Sequence, residues 1–275
     1  MKILFMIFYL VSIFLIYVFI ENHLLVTKRY KISHGGRSRL NVVQISDVHC
    51  KTYPAEWSAL IKRVKALSPD VILITGDLVS RTTVKFGKTE ILLRRLCRIC
   101  PVYCSIGNHE LDLPQEVMER YREMVKRSGA VLLENSHVEF EKDGRIIDIY
   151  GADLKSTAYR NDRGGFSGLE KVTADELTQS IGERTENFTI LMAHNPFFAD
   201  EYAKWGADVI FSGHVHGGAV RLPFVGGVLS PERRFFPKYS KGVYTINDSV
   251  MVVSAGIGKL RVFNPPEIVF AEIEF

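Results

Sequence analysis

The chain has 275 residues, 47% of them hydrophobic and 24% charged, enough to bury a full-sized core and unlike a disordered tail, a collagen-like repeat or a disulfide scaffold. The formal net charge of +4 is concentrated at one end: Lys2, Lys28, Arg29, Lys31, Arg37 and Arg39 precede Leu40 with Glu21 as the only acid, leaving 29 basic against 30 acidic side chains beyond. A near-neutral body argues against a general nucleic-acid-binding face and assigns the basic excess to the N-terminal segment.

Residues 3–20 carry no charge and are rich in Ile, Leu, Phe and Val. They are long enough for a helix to cross most of a hydrocarbon core about 30 Å thick. Residues 1–21 are therefore expected to form a single transmembrane anchor. A cleavable signal peptide would have an apolar stretch of roughly 7–15 residues ending in small side chains, whereas Glu-Asn-His-Leu-Leu-Val follows here. A buried core helix is a poorer fit to an all-round apolar run at the start of the chain. The basic residues after the span outnumber Lys2 and the α-amine before it, which places the following domain on the cytoplasmic face, the extracytoplasmic face being the alternative. No twin-arginine pair precedes the run.

Residues 22–39, with Gly35-Gly36, are expected to be a basic linker, and residues 40–275 a catalytic domain. A buried strand is expected at 40–46, then a helix at 55–67, where Trp57, Leu60, Ile61, Val64 and Leu67 recur at helical spacing. A strand at 71–75, a helix at 89–100, a strand at 102–106 and a helix at 115–126 continue the alternation, which implies an α/β sheet. From residue 130 strands dominate, at 130–133, 138–141, 145–150, 189–193, 209–212, 244–246, 250–254 and 268–273, so a second sheet is required. The stretches 159–168 and 221–241 are long loops, read either as substrate-contacting or lid segments or as variable surface. Cys97, Cys100 and Cys104 read as small buried thiols rather than a metal cluster, with Cys50 beside the prospective site.

Several apolar strands run directly into metal-competent side chains. Asp47 and His49 follow the first, Asp77 the second, Asn108 and His109 the third, His194 the strand at 189–193, and His214 and His216 the strand at 209–212. In open α/β sheets ligands bind beyond the carboxyl ends of strands, so five separate segments can converge on one cleft. A lone histidine is more often an ordinary surface or core residue than a ligand. Five of the eight histidines fall at these strand ends, however, and His23, His34 and His137 do not. Imidazole nitrogens mixed with carboxylate and amide oxygens suit Mn²⁺, Fe or Zn²⁺ better than Ca²⁺ or Mg²⁺. Asp47, His49, Asp77, Asn108, His194, His214 and His216 exceed what one such ion takes, so two are expected.

In order and approximate spacing, Asp47-Val48-His49, Gly76-Asp77, Gly107-Asn108-His109-Glu110, His194 and Gly213-His214-Val215-His216 resemble the motifs of the calcineurin-like metallophosphoesterases. Asn264-Pro265-Pro266-Glu267-Ile268 is similar to the closing segment of a membrane-associated bacterial subgroup. The resemblance, spanning about residues 40–275, implies a four-layer α/β/β/α sandwich and two divalent ions, Mn²⁺ first, with Fe or Zn²⁺ as alternatives. It implies that Asp47, His49 and His216 hold one ion, Asn108, His194 and His214 the other, and that Asp77 bridges them. His109 is implied as catalytic, stabilising phosphoryl oxygens and protonating or orienting the leaving group. The implied reaction is in-line attack on phosphorus by a hydroxide bridging two ions about 3.5–4 Å apart.

Protein phosphatases of the superfamily carry an acid three positions after the bridging Asp, where this chain has Ser80, which argues against a phosphoprotein substrate. Val215 and Ala219 stand where close relatives often have Thr and Gln. The expected function is hydrolysis of a phosphodiester, pyrophosphate or monoester on a lipid-linked or cell-envelope substrate, such as a UDP-diacylglucosamine-type pyrophosphate. The alternatives are a non-catalytic scaffold of the same fold, disfavoured because no ligand is substituted, and a nuclease, disfavoured by the charge balance and the anchor.

Overall fold

The computed structural model describes residues 1–49, 57–161, 163–222, 224–230, 233–258 and 261–275. Cys50 and the first two residues of the helix expected at 55–67 lie outside them.

Helix α1 (Lys2–His23) is followed by β1 (Val26–Ser33), β2 (Arg39–Ile45), α2 (Ser58–Leu67), β3 (Val71–Thr75), α3 (Gly87–Leu96), β4 (Val102–Ser105), the short α4 (Asn108–Leu111), α5 (Gln115–Arg127) and β5 (Val131–Leu132). The second half contains β6 (Ser136–Lys142), β7 (Arg145–Ala152), α6 (Ala174–Ile181), β8 (Phe188–Ala193), α7 (Ala199–Trp205), β9 (Val209–Ser212), β10 (Arg221–Leu222), β11 (Gly226–Gly227), β12 (Gly242–Ile246), β13 (Ser249–Val253) and β14 (Glu267–Glu274). One six-stranded sheet runs β1-β14-β2-β3-β4-β5 and the other β12-β13-β9-β8-β7-β6.

The two sheets stack face to face with helices outside, the expected four-layer α/β/β/α sandwich. Strand β3 shows why: all five of its residues are buried. Ile72 and Ile74 face a core shared with Leu60, Leu92 and Tyr121 of the helices. Val71 and Leu73 face a core shared with Ile149, Ile190 and Phe211 of the other sheet. A strand covered on both faces has no polar alternation, so it reads as a continuous apolar run. A third core packs Leu177, Tyr202 and Trp205 of α6 and α7 against Leu191, Ile210 and Met251.

Three features differ from expectation. Helices α6 and α7 were not expected, because they have only eight and seven residues and little room for periodicity. The first carries a signal that could have found it: Thr173 accepts from the Glu176 amide and the Glu176 carboxylate answers the Thr173 amide, a capping box.

The second is the segment 22–39, expected as a linker, which contains β1. This strand pairs in parallel with β14 over eight residues, from Val26 with Glu267 to Ser33 with Glu274. Its basic residues disguise it, and they have local partners: Lys31 lies 3.6 Å from Glu272 and Arg29 sits 5.1 Å over the Phe270 ring. Exposed Lys and Arg on a sheet edge also discourage edge-to-edge association. A chain beginning at Leu40 is therefore expected to lose several kcal/mol of stability, since it forfeits burial of Leu25 and Ile32, each worth about 1.5–3 kcal/mol, and opens the β14 edge. Thermal unfolding against a chain beginning at Leu24 checks this; equal melting temperatures would make β1 dispensable.

The third is the stretch 221–241, expected as a loop, which folds in part into the β10–β11 hairpin. Helix α1 itself has a window of mean hydropathy 2.9 with none of it buried, so it is long and apolar enough to cross a membrane. Cys97, Cys100 and Cys104 are free thiols, the last fully buried. Burial pushes the Cys104 thiol up, and the ligand clusters found among the described residues include no cysteine.

Candidate metal centre

Strands β2, β3 and β4 pair in parallel, as do β7, β8 and β9, so their carboxyl ends emerge side by side at one rim of the sandwich. Buried Gln44 ties the two sheets there, its Nε2 donating to Thr75 Oγ1 at 2.9 Å and to the Ser212 carbonyl at 2.8 Å. Asp47, His49, Asp77, Asn108, His194, His214 and His216 all meet at this rim together with His109. Five of them leave the strand register abruptly: Asp47, His49, Asp77, His214 and His216 have φ between 47° and 68°, the left-handed region that non-glycine residues rarely adopt. Such strain persists only where the surroundings over-determine it. Here the His49 amide donates to the Asp77 carbonyl at 3.0 Å, the His214 amide to Asp47 Oδ1 at 3.0 Å and the His109 amide to Asp77 Oδ1 at 2.8 Å.

Close approach also demands small residues. A Cβ at Gly107 would overlap the Asp77 backbone and carboxylate, and one at Gly213 would overlap Ser46 and Asp47.

Asp47, His49 and His216 bring ligand atoms together as one cluster, and Asp47, Asp77 and His194 as another. His194 Nε2 lies 3.4 Å from Asp77 Oδ2 and 3.9 Å from Asp47 Oδ1. His49 Nε2 is 3.7 Å from Asp77 Oδ2, and His216 Nε2 is 3.7 Å from Asp47 Oδ1. His214 Nδ1 meets Asn108 Oδ1 at 2.9 Å, with the His214 and His194 ring centroids 5.1 Å apart. His109 Nε2 stands 3.9 Å from Asp77 Oδ2 and forms a third cluster with Asp77 and His49.

The electrostatics fit cations. Burial pushes Asp47 up, with Asp77 adding repulsion, while the surrounding histidines overcome burial to hold Asp77 well below the usual carboxylate range. Burial lowers His49 and His216 and takes His109 down to about 4, so these rings stay neutral donors. His194 is the exception: burial opposes its charge, but Asp77 and Asp47 outweigh it and push it up to about 10. Its Nδ1 is engaged with the Thr75 carbonyl at 2.7 Å, and its Nε2 is buried with no hydrogen bond. The carbonyl accepts from Nδ1–H, so Nε2 faces the two carboxylates that hold a proton on it, and a divalent ion would take the place of that proton.

Residues 40–218 match the calcineurin-like phosphoesterase family. The chain belongs to that family. It is 25% identical over 245 residues to the uncharacterized metallophosphoesterase YkoQ of Bacillus subtilis, covering 86% of this chain and 85% of that one. It is 25% identical over 293 residues to the UDP-2,3-diacylglucosamine pyrophosphatase LpxG of Chlamydia muridarum, covering 88% and 84%. Among solved structures, the sulfate thiohydrolase SoxB of Thermus thermophilus is similar in fold, with a TM-score of 0.53 at 13% identity, covering 84% of this chain and 53% of that one.

As a calcineurin-like phosphoesterase the chain belongs to enzymes that use a dinuclear divalent metal centre and hydrolyse phosphoesters, and its site shows how the ligand-bearing loops are held. Buried Glu110 accepts from the Asp77, Val79 and Gly107 amides, each at 2.9 Å, which locks the loops after β3 and β4 together. The Asn264 side chain donates to the His216 carbonyl at 2.6 Å and to the Gly218 carbonyl at 3.1 Å, and Arg261 reaches His216 Nδ1 at 3.4 Å. Glu110 and Asn264 both fall within the sequence motifs, whose spacing assigns neither a role. With Ser80 where an acid would accept from His109, the Arg81 amide instead donates to His109 Nδ1 at 3.2 Å. That leaves the proton of neutral His109 on Nε2, facing the cleft.

The cleft is lined by Asp77, Asn108, His109, His214 and His216 together with Tyr159, Arg160 and Phe166. The loop at 159–168 therefore borders the site. Asp112 pairs with both Arg81, at 3.0 Å, and Arg160, so two guanidinium groups are held at the mouth.

Proposed function

We propose that this phosphoesterase is a membrane-anchored, binuclear hydrolase of a phosphodiester, pyrophosphate or monoester on a lipid-linked or cell-envelope substrate. The carrying observation is the buried pair of carboxylates, Asp47 and Asp77, with the unpartnered His194 Nε2 aimed between them. Asp47, His49 and His216 hold one ion, Asn108, His194 and His214 the other, and Asp77 lies between. Mn²⁺ is the preferred ion, with Fe or Zn²⁺ as alternatives. When bound, two such ions supply Lewis acidity to phosphoryl oxygens and lower the pKa of water.

The chain's own residues do the rest. His109 presents Nε2–H to the cleft as a donor to a phosphoryl or leaving-group oxygen. Arg81 and Arg160, oriented by Asp112, offer fixed positive charge to a second phosphate. The resemblance to a UDP-2,3-diacylglucosamine pyrophosphatase supports a lipid-bearing pyrophosphate, helix α1 supports a membrane location, and the basic residues that follow it favour a domain on the cytoplasmic over the extracytoplasmic face.

The test is hydrolysis of an activated diester, a monoester and a UDP-diacylglucosamine-type pyrophosphate by the full chain in detergent. Stripping metal with a chelator is expected to abolish turnover and Mn²⁺ to restore it; activity indifferent to chelation would end the binuclear reading. His109→Ala is expected to lower kcat by about 10²–10⁴-fold with unchanged metal content, the usual contribution of a positioned acid. A kcat within a factor of a few of the parent would remove His109 from the catalytic step.

A further inference from the structure

Directly after His216 the chain builds a small ribbon that the catalytic site does not use. Val220 bridges Val262 in parallel, the Val228 amide donates to the Val220 carbonyl at 2.9 Å, and the Phe236 amide donates to the Val228 carbonyl at 2.9 Å. Segments 261–263, 219–222, 226–229 and 235–236 thus lie side by side. The ribbon exposes Leu222, Phe224, Val225, Phe235, Phe236 and Phe263, with Phe224 fully exposed at the hairpin tip. Isolated exposed apolar residues are ordinary, but aromatic side chains gathered on one small ribbon mark an interaction surface.

Its outer segment is fastened to α1. The Phe263 ring lies 5.5 Å from Tyr17 and 6.3 Å from Phe14. Asn22 Nδ2 donates to the Arg261 carbonyl at 2.8 Å, and the Arg261 amide donates back to Asn22 Oδ1 at 3.1 Å. Phe14 is about 13 Å along the helix from His23 at 1.5 Å per residue, so Phe263 lies alongside the apolar run rather than beyond it. Residues 218–240 also carry Arg221, Arg233, Arg234 and Lys238 against Glu232 alone, Lys241 being held in a buried pair with Glu267. Aromatic and aliphatic tips flanked by bases suit the headgroup and upper acyl region of an anionic leaflet.

We propose that this ribbon inserts into the leaflet from which α1 emerges and seats the metal cleft at headgroup level. The proposal rests on the reading of α1 as a membrane span. Its occupant is the anionic bilayer itself, because the ribbon is continuous with the helix that enters it. Since the ribbon begins three residues after His216 and Arg261 touches that ligand, a phosphate on an embedded lipid would meet the cleft without its acyl chains leaving the membrane.

The test uses the full chain in phosphatidylcholine vesicles containing phosphatidylglycerol and acyl-brominated lipid. Trp57 and Trp205 are buried, so single tryptophans can be read over the parent signal. Phe224→Trp and Phe235→Trp are expected to be quenched by brominated lipid several-fold more than Val131→Trp, which lies on β5 at the opposite edge of the first sheet from β1. Aqueous iodide is expected to show the reverse order. Phe8→Trp reports the helix. If Phe8→Trp is quenched by lipid while Phe224→Trp and Phe235→Trp follow iodide, the ribbon proposal is overturned and the anchor stands. If Phe8→Trp also follows iodide, both fall. Shielding from both quenchers that disappears as protein is diluted among vesicles would mean a second copy covers the ribbon, and would overturn the proposal. No substrate enters the measurement, so failure to find lipid hydrolysis leaves its outcome unchanged.

Discussion

Asp77→Asn is expected to lower turnover by about three decades or more while the domain stays folded. Asparagine keeps the side chain's shape and can still accept from the His109 amide, now at 2.8 Å from Asp77 Oδ1. It loses the charge that faces His194, His49 and His109 at 3.4, 3.7 and 3.9 Å. A neutral amide has one oxygen with which to serve two cations, so at least one ion should bind weakly. Metal ions supply several kcal/mol of transition-state stabilisation, and each 1.36 kcal/mol is a tenfold rate. Metal analysis and single-turnover rates on the same preparation are the measurement. Two tightly held ions and a rate within tenfold of the parent would strip Asp77 of the bridging role.

The second large effect lies behind the site. Lys241 and Glu267 form a buried ion pair, Nζ to Oε2 at 2.6 Å, with Glu267 Oε1 also accepting from the Ala255 amide at 2.9 Å. Lys241 additionally reaches Asn264 Oδ1 at 3.3 Å, and Asn264 holds the His216 turn. Lys241→Met is expected to cost about 3–5 kcal/mol, the usual penalty for leaving one charge of a buried pair uncompensated. Denaturant unfolding of the variant against the parent checks this. Adding Glu267→Gln should recover much of the loss, and a double variant no more stable than Lys241→Met would show that packing, not charge, is at stake.

The core strands were legible because each is covered on both faces and reads as a short apolar run: Val71–Thr75 was expected as the structure has it. The convergence at the rim was legible for the same reason, since parallel strands deliver whatever follows them to one place. What stayed hidden depends on contacts between residues distant in the chain. Glu110 acts through amides on the loop after β3, and Asn264 through a carbonyl 48 positions away, relations that no local spacing encodes. Strand β1 was hidden because its charges are answered by Glu272 and an aromatic ring on β14, a partner some 240 residues on. The ribbon was hidden because β10 and β11 are two residues long and its other rungs are single bridges, too short for an alternating pattern.

The pairing of β1 with β14 also sets an order of events during synthesis. The apolar helix and β1 leave the ribosome before the rest of the domain, yet among the described residues the only strand that β1 pairs with is β14. Until β14 is made, β1 lacks that partner and the β2 edge beside the missing β14 is open. The first sheet therefore closes late, through a contact with nearly the longest loop the chain allows, which is slow to form and leaves edges open to misassociation. An apolar helix already lodged in a bilayer would hold β1 in place through that interval, so the N-terminal segment would act as a tether for folding before it acts as an anchor for the finished protein.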